Sequence, residues 1–280
     1  MISRTISRTF ASSTNARVGI LLAAVPILMA LLAKWLAPYG PYDLVCNPYE
    51  GPSGLHLLGC DDIGHDLLSQ LIYGARVPLL VGGLSSAIAT SIGTLIALYP
   101  GYVGGFLDQI LMRLTDVVMT VPYLVFLIVL TAYLGPNIWN IIFVIGILGW
   151  PSTTRIVRSQ VMSLKTRLYV EGAVAVGAGK RYIMFRYILP ALISVIIPLA
   201  VISVMDGILA EAGLSFLGLG DSTQVSWGLM LYYAQFRGGF IAGAWWWILP
   251  PGLMITITGL GVMFISHALD EVLNPSKIRS

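Results

Sequence analysis

Charged residues fall at long intervals along this chain, and the apolar windows between them predict its elements. A helix needs about 20 mostly apolar residues to cross the hydrocarbon core of a bilayer. Val18 to Ala33 carries no charge, and the apolar run continues past Lys34 to Ala37. Val77 to Leu107 is uncharged, with Pro78 and Pro100 framing a second span. Val117 to Thr154 is uncharged but too long for one crossing, and Gly135-Pro136-Asn137 supplies turn chemistry that divides it in two. Tyr187 to Met205 makes a fifth span, and Gly238 to Ser266 contains a sixth. The expectation is an all-α, polytopic membrane protein with six transmembrane helices.

Composition agrees with the pattern and removes whole classes of function. The 280 residues are 57% hydrophobic and 10% charged, with a mean hydropathy of +0.85. Soluble domains carry about 25% charged residues, so an ordinary soluble enzyme, a disordered chain and a free nucleic-acid binder are excluded. The sequence pI near 8.9 reflects membrane topology. Residues 1–17 carry Arg4, Arg8 and Arg17 and no acid. Arg155 to Arg186 carries seven basic residues against Glu171 alone. Pro38 to Arg76 carries Asp43, Glu50, Asp61, Asp62 and Asp66 against Arg76 alone. Basic loops stay in the cytoplasm. Residues 1–17 are therefore expected to be a cytoplasmic N-terminal segment and 18–280 a transmembrane domain in the cell membrane, with both termini cytoplasmic. Within that domain, 38–76 is an outer loop, 155–189 a cytoplasmic loop and 211–244 an outer segment. The first apolar run is longer than the core of a signal peptide and lacks a small-residue cleavage site, so it reads as an uncleaved helix. Trp35, Tyr39 and Trp245 to Trp247 sit at outer helix ends, as interfacial anchors do.

The cytoplasmic loop is basic, yet patterned. Leu168 to Val176 favours helix apart from Gly172. Gly177 and Gly179 then break the pattern with residues able to take positive φ. Lys180 to Leu189 repeats apolar side chains at Ile183/Tyr187 and Met184/Ile188, which is i,i+4 spacing. Two short helices at a glycine elbow suit docking in a partner's groove.

These residues carry a resemblance. Glu171-Gly172-Ala173, Gly177 and Ile188-Leu189-Pro190 resemble the EAA loop of ABC importer permeases. His56-Leu57-Leu58-Gly59-Cys60-Asp61-Asp62-Ile63-Gly64-His65-Asp66 resembles the HLLGTDxxGRD segment of the dipeptide, oligopeptide and nickel permeases. Gly101 to Gly105, Met112 to Asp116, Glu211 to Gly220 and Ser226-Trp227-Gly228 are similar to that family as well. Departures are Gly172 for the first Ala of the core, Cys60 for Thr and His65 for Arg.

The resemblance implies a type I ABC importer permease. It would pair with a homologous second permease subunit, sit on two cytoplasmic ABC ATPase subunits and receive substrate from an extracytoplasmic binding protein. Glu171, Gly172, Ala173, Gly177, Ile188, Leu189 and Pro190 would form the ATPase-coupling loop. The substrate implied is a di- or oligopeptide, with nickel and oligosaccharides open. ATP and Mg would bind the ATPase partners, and this chain would hold no cofactor. It contains no G-x-x-x-x-G-K-[ST] phosphate loop, and no paired His-and-acid motif inside the spans suggests a catalytic residue. An ion channel or proton-coupled carrier is the rival of another class, and it leaves the patterned basic loop unexplained.

Other residues are read from their own chemistry. Asp206, Glu211 about one turn beyond it, and Pro122 are all candidates for the pathway, because an ionisable residue in a span faces a cavity or a partner and broken helices border pathways. Asp206 would favour a cationic group such as a peptide N-terminus, or else be a water-exposed acid near the interface. Asp116 is expected to pair with Arg113. Ser85, Ala89 and Gly93 form a small-residue stripe that packs inside the subunit or against a partner. Cys46 and Cys60 permit a disulfide in the outer loop. His56 and His65 nearby make a metal conceivable, but no tight ligand spacing supports one. Asp61 or Asp62 is expected to cap the stretch through Leu71.

Overall fold

A computed structural model describes residues 13–273; the expected N-terminal segment 1–17 lies mostly outside these. The described chain is helical, with α1 Thr14–Leu36, α2 Leu67–Tyr73, α3 Arg76–Val103, α4 Gly105–Thr120, α5 Tyr123–Leu134, α6 Ile138–Lys165 and α7 Leu168–Ala175. A short α8 (Lys180–Ile183) runs through a π-turn, Met184–Ile188, into α9 (Leu189–Phe216), and α10 (Trp227–Phe236) and α11 (Trp245–Leu273) follow. Five helical segments are long and apolar enough to cross a membrane, and a bent pair makes up to six.

That pair is α4 and α5, which meet at 86°. The sequence suggests a third span beginning near Val117, with Pro122 kinking or unwinding it. The break falls at Val121 (φ −81, ψ 131), because a residue before proline is pushed out of the helical region and Pro122 offers no N–H. The 12 residues of α5 rise only about 18 Å, less than the core of a bilayer. Several of the other helices outrun their charge-free windows, since polar residues extend a helix into the headgroups. Thus α6 takes up Arg155 to Lys165, and the fifth span runs without a gap from Lys180 to Phe216.

Small residues let the long helices approach. A Cβ on Gly207 of α9 would lie 2.6 Å from Ser85 Oγ and 2.9 Å from Gly82 Cα of α3. The Ser85–Ala89–Gly93 stripe is thereby consumed inside the subunit, since Gly93 abuts Thr153 and Trp150 of α6 and Ala89 meets Gly149. Hydroxyls reinforce these crossings by donating to backbone carbonyls: Ser86 to Ala200, Thr154 to Gly93 and Ser266 to Pro198. The α1 and α11 helices are antiparallel neighbours, and Asn15 Nδ2 donates to Glu271 Oε1 at 2.8 Å.

The two ends of the bundle differ. At one, the loop between α1 and α2 packs with α10 and the start of α11 around Leu67, Leu71, Trp227, Met230 and Trp247. Trp227 Nε1 donates to Leu71 O. Trp245 is exposed, whereas Trp247 is 1% exposed and is a core residue, correcting its reading as an anchor. At the other end, α7 and the start of the fifth span close over α3 and α6.

Candidate coupling helix and membrane cavity

At the basic end, α7 is seated by one face. Val170 and Ala173 are buried among Ala97, Tyr102, Val157, Val161, Ile183 and Ile188. Its C-terminus is closed by paired bonds: Gly177 N–H donates to Val174 O (2.9 Å) and Ala178 N–H to Ala173 O (3.0 Å). This Schellman closure needs a residue in the left-handed region, and Gly177 has φ +83. Gly179, expected to share that role, is extended (φ −66, ψ 149) as the N-cap of α8. Glu171 lies in the first turn of α7, where the helix dipole favours an acid. The outward face is apolar: Leu168, Tyr169, Val174 and Val176 are exposed, with Tyr182 and Phe185 beyond.

The second expected loop helix is in fact the first turns of the fifth span. Ile188 is buried in the cluster that seats α7, and Leu189 packs on it. Pro190 cannot donate to Arg186 O, and its ring would strike that carbonyl in a regular α-helix. The preceding π-turn, in which Leu189 N–H reaches Met184 O, adds a residue to the turn and carries the chain past the proline. Glu171, Gly172, Ala173, Gly177, Ile188, Leu189 and Pro190 therefore belong to one local unit. Periodicity could not reveal the π-turn.

A cavity of about 640 Å³ opens in the spanning region between α3, the α4–α5 elbow, α6 and α9. Pro122 and Asp206 both line it. Glu211 does not: it is 1% exposed and accepts a 2.6 Å bond from Ser215 Oγ. Five residues along a helix turn the side chain by roughly 140°, so the two acids leave α9 on different faces.

The elbow is pinned from α4. Asp108 takes two bonds from Arg158 of α6 (2.7 and 2.6 Å), and Asp116 pairs with Arg155 at 2.6 Å. Asp116 thus meets an arginine across the helix crossing instead of Arg113 on its own helix, a choice with no signature in the sequence.

At the opposite end, Cys46 and Cys60 are joined in a disulfide. Ligand atoms of Cys46, His56 and Cys60 lie within 4.8 Å of one another, but sulfurs bonded to each other are not thiolate ligands. The histidines pair with acids instead, His56 with Asp66 (3.1 Å) and His65 with Asp61 (2.6 Å). Asp66, and neither Asp61 nor Asp62, caps α2 by accepting from Ser69 N–H. Asp61 gathers the N–H groups of Ile63, Gly64 and His65, and Asp62 pairs with Arg237. Burial pushes the Asp221 carboxyl up, but bonds from Thr223 and from Ile138 N–H outweigh it and hold the group below the usual carboxylate range.

A spanning bundle with a cavity and an end-docked apolar helix defines an integral membrane permease. Residues 89–279 match the family of binding-protein-dependent transport system inner membrane components, and the chain belongs to that family. It is 36% identical over 259 residues to a putative peptide permease protein of Brucella ovis, covering 91% of this chain and 85% of the relative. It is 35% identical over 276 residues to the di/tripeptide transport system permease protein DppC of Pseudomonas aeruginosa (96% and 90% covered). With the oligopeptide transport system permease protein OppC of Haemophilus influenzae it shares 32% over 272 residues (96% and 86%).

Proposed function

We propose that this permease imports di- and oligopeptides, forming half of the pathway with a homologous second subunit and taking its drive from two cytoplasmic ATPase subunits. The observation that carries the reading is α7, a short helix seated by Val170 and Ala173 while Leu168, Val174 and Val176 remain exposed. Such a face needs a partner, and its place on the basic segment puts it in the cytoplasm. Both termini lie on that side of the cell membrane. The disulfide end then faces outward, into an oxidising compartment, where an extracytoplasmic binding protein would deliver substrate. The names of the relatives support peptides as cargo. ATP and Mg belong to the partners, and this subunit works by moving rigid elements around the cavity.

Gly177→Leu tests the coupling role. A Leu at φ +83 costs roughly 1–2 kcal/mol and misdirects the chain between α7 and the fifth span. The expected outcome is normal membrane insertion, lost peptide uptake, and ATP hydrolysis that substrate-loaded binding protein no longer stimulates. Normal uptake and normal stimulation in this variant would overturn the coupling role.

A further inference from the structure

The cavity is chemically one-sided. Asp206 is its only charged lining residue, and no Lys, Arg or His borders it. Among the described residues, no ion pair involves Asp206. It stands ten residues before the end of α9 at Phe216, about 15 Å along the axis, within the helix and not at its terminus. Tyr123 lines the same cavity, and so does Ser203, one turn before Asp206 on α9. Most of the remaining wall is apolar, with Leu148 and Leu209 among its residues. The volume falls within the roughly 300–1,000 Å³ of small-molecule sites.

We infer that Asp206 makes this cavity a binding site for a cationic group, and that in peptide import this group is the α-ammonium of the substrate. Asp206 is exposed to the cavity, and an acid without a counter-charge beside mostly apolar walls attracts a cation more strongly than it would in open water. The same charge repels a carboxylate, so a peptide enters with its amino end toward Asp206 and Tyr123 and its carboxylate away. The identity of the cation rests on the peptide-import reading; the preference for positive charge does not.

The test uses the assembled transporter in proteoliposomes and has two arms. In the first, Ser203→Cys reports on the cavity through cationic and anionic methanethiosulfonate reagents of similar size. Cys46 and Cys60, held in their disulfide, do not compete. The cationic reagent is expected to react faster by about tenfold or more, relative to the same pair acting on a small thiol in water, and Asp206→Asn should abolish this excess. In the second arm, uptake of a dipeptide is compared with uptake of its N-acetylated form, with one binding protein throughout. Asp206→Asn should lower the free-amine to acetylated ratio by about tenfold, and Asp206→Glu should largely keep it. Native gel mass of each variant checks assembly.

No cationic excess at Ser203→Cys would overturn the proposal whatever the cargo, including the case in which a partner's cation already neutralises Asp206. A cationic excess with an unchanged peptide ratio in Asp206→Asn would overturn the ammonium assignment. A cationic excess in a transporter that takes up neither peptide would uphold the cation site and remove the peptide reading.

Discussion

Gly172 stands where the resemblance to the EAA loop implies an alanine, and the space around it is open. A Cβ built there meets no atom within 4 Å, and the residue lies inside α7. Glycine in a helix interior costs roughly 0.5–1 kcal/mol relative to alanine. Gly172→Ala is therefore expected to stabilise α7 by about that amount, read as slower hydrogen exchange of its amides in the purified permease. Unchanged or faster exchange would show that some other feature governs this helix. Gly177 behaves in the opposite way, because its left-handed backbone, and not its size, is what α7 requires.

At the scale of elements, the α4–α5 elbow shows how equal distances can carry unequal energies. Both Asp–Arg pairs close to 2.6 Å. The Arg155 and Asp116 side chains are about half exposed, at 49% and 54%, and such surface pairs contribute about 0–1 kcal/mol. Arg158 and Asp108 are 26% and 11% exposed and share two bonds. Removing Arg158 leaves a mostly buried carboxylate without its partner, at a cost of about 1–3 kcal/mol. Arg158→Ala should thus lower the thermal midpoint in detergent by several degrees more than Arg155→Ala. Equal midpoints for the two variants would mean that the elbow does not depend on the buried pair. The elbow itself was half legible: Pro122 marked a break, but the 86° between the two helices depends on which residues of α6 hold α4.

For the molecule as a whole, the two ends are stabilised by different means. The basic end closes by apolar packing under α7, whereas the opposite end is tied by a disulfide across a sequence separation of 14. A bridge of that length contributes about 3 kcal/mol. Replacing both cysteines by serine should leave the spanning helices intact and make residues 37–66 cleavable by added protease at lower concentration. Resistance equal to the native chain would assign the loop's order to its packing against α10 and α11 alone. The spanning segments, the Gly177 turn and the helical character of α7 were readable directly, because hydrophobic length, glycine conformation and helix propensity are properties of neighbours in the chain. Hydropathy could not say that Trp247 is core and Trp245 is not, nor which of Asp206 and Glu211 meets the cavity. Nor could it say which arginine answers Asp116. Each of these depends on the angle at which a side chain leaves its helix and on what a distant helix places opposite. Crossings such as Gly207 against Gly82 set that geometry, and it exists only once the bundle has packed.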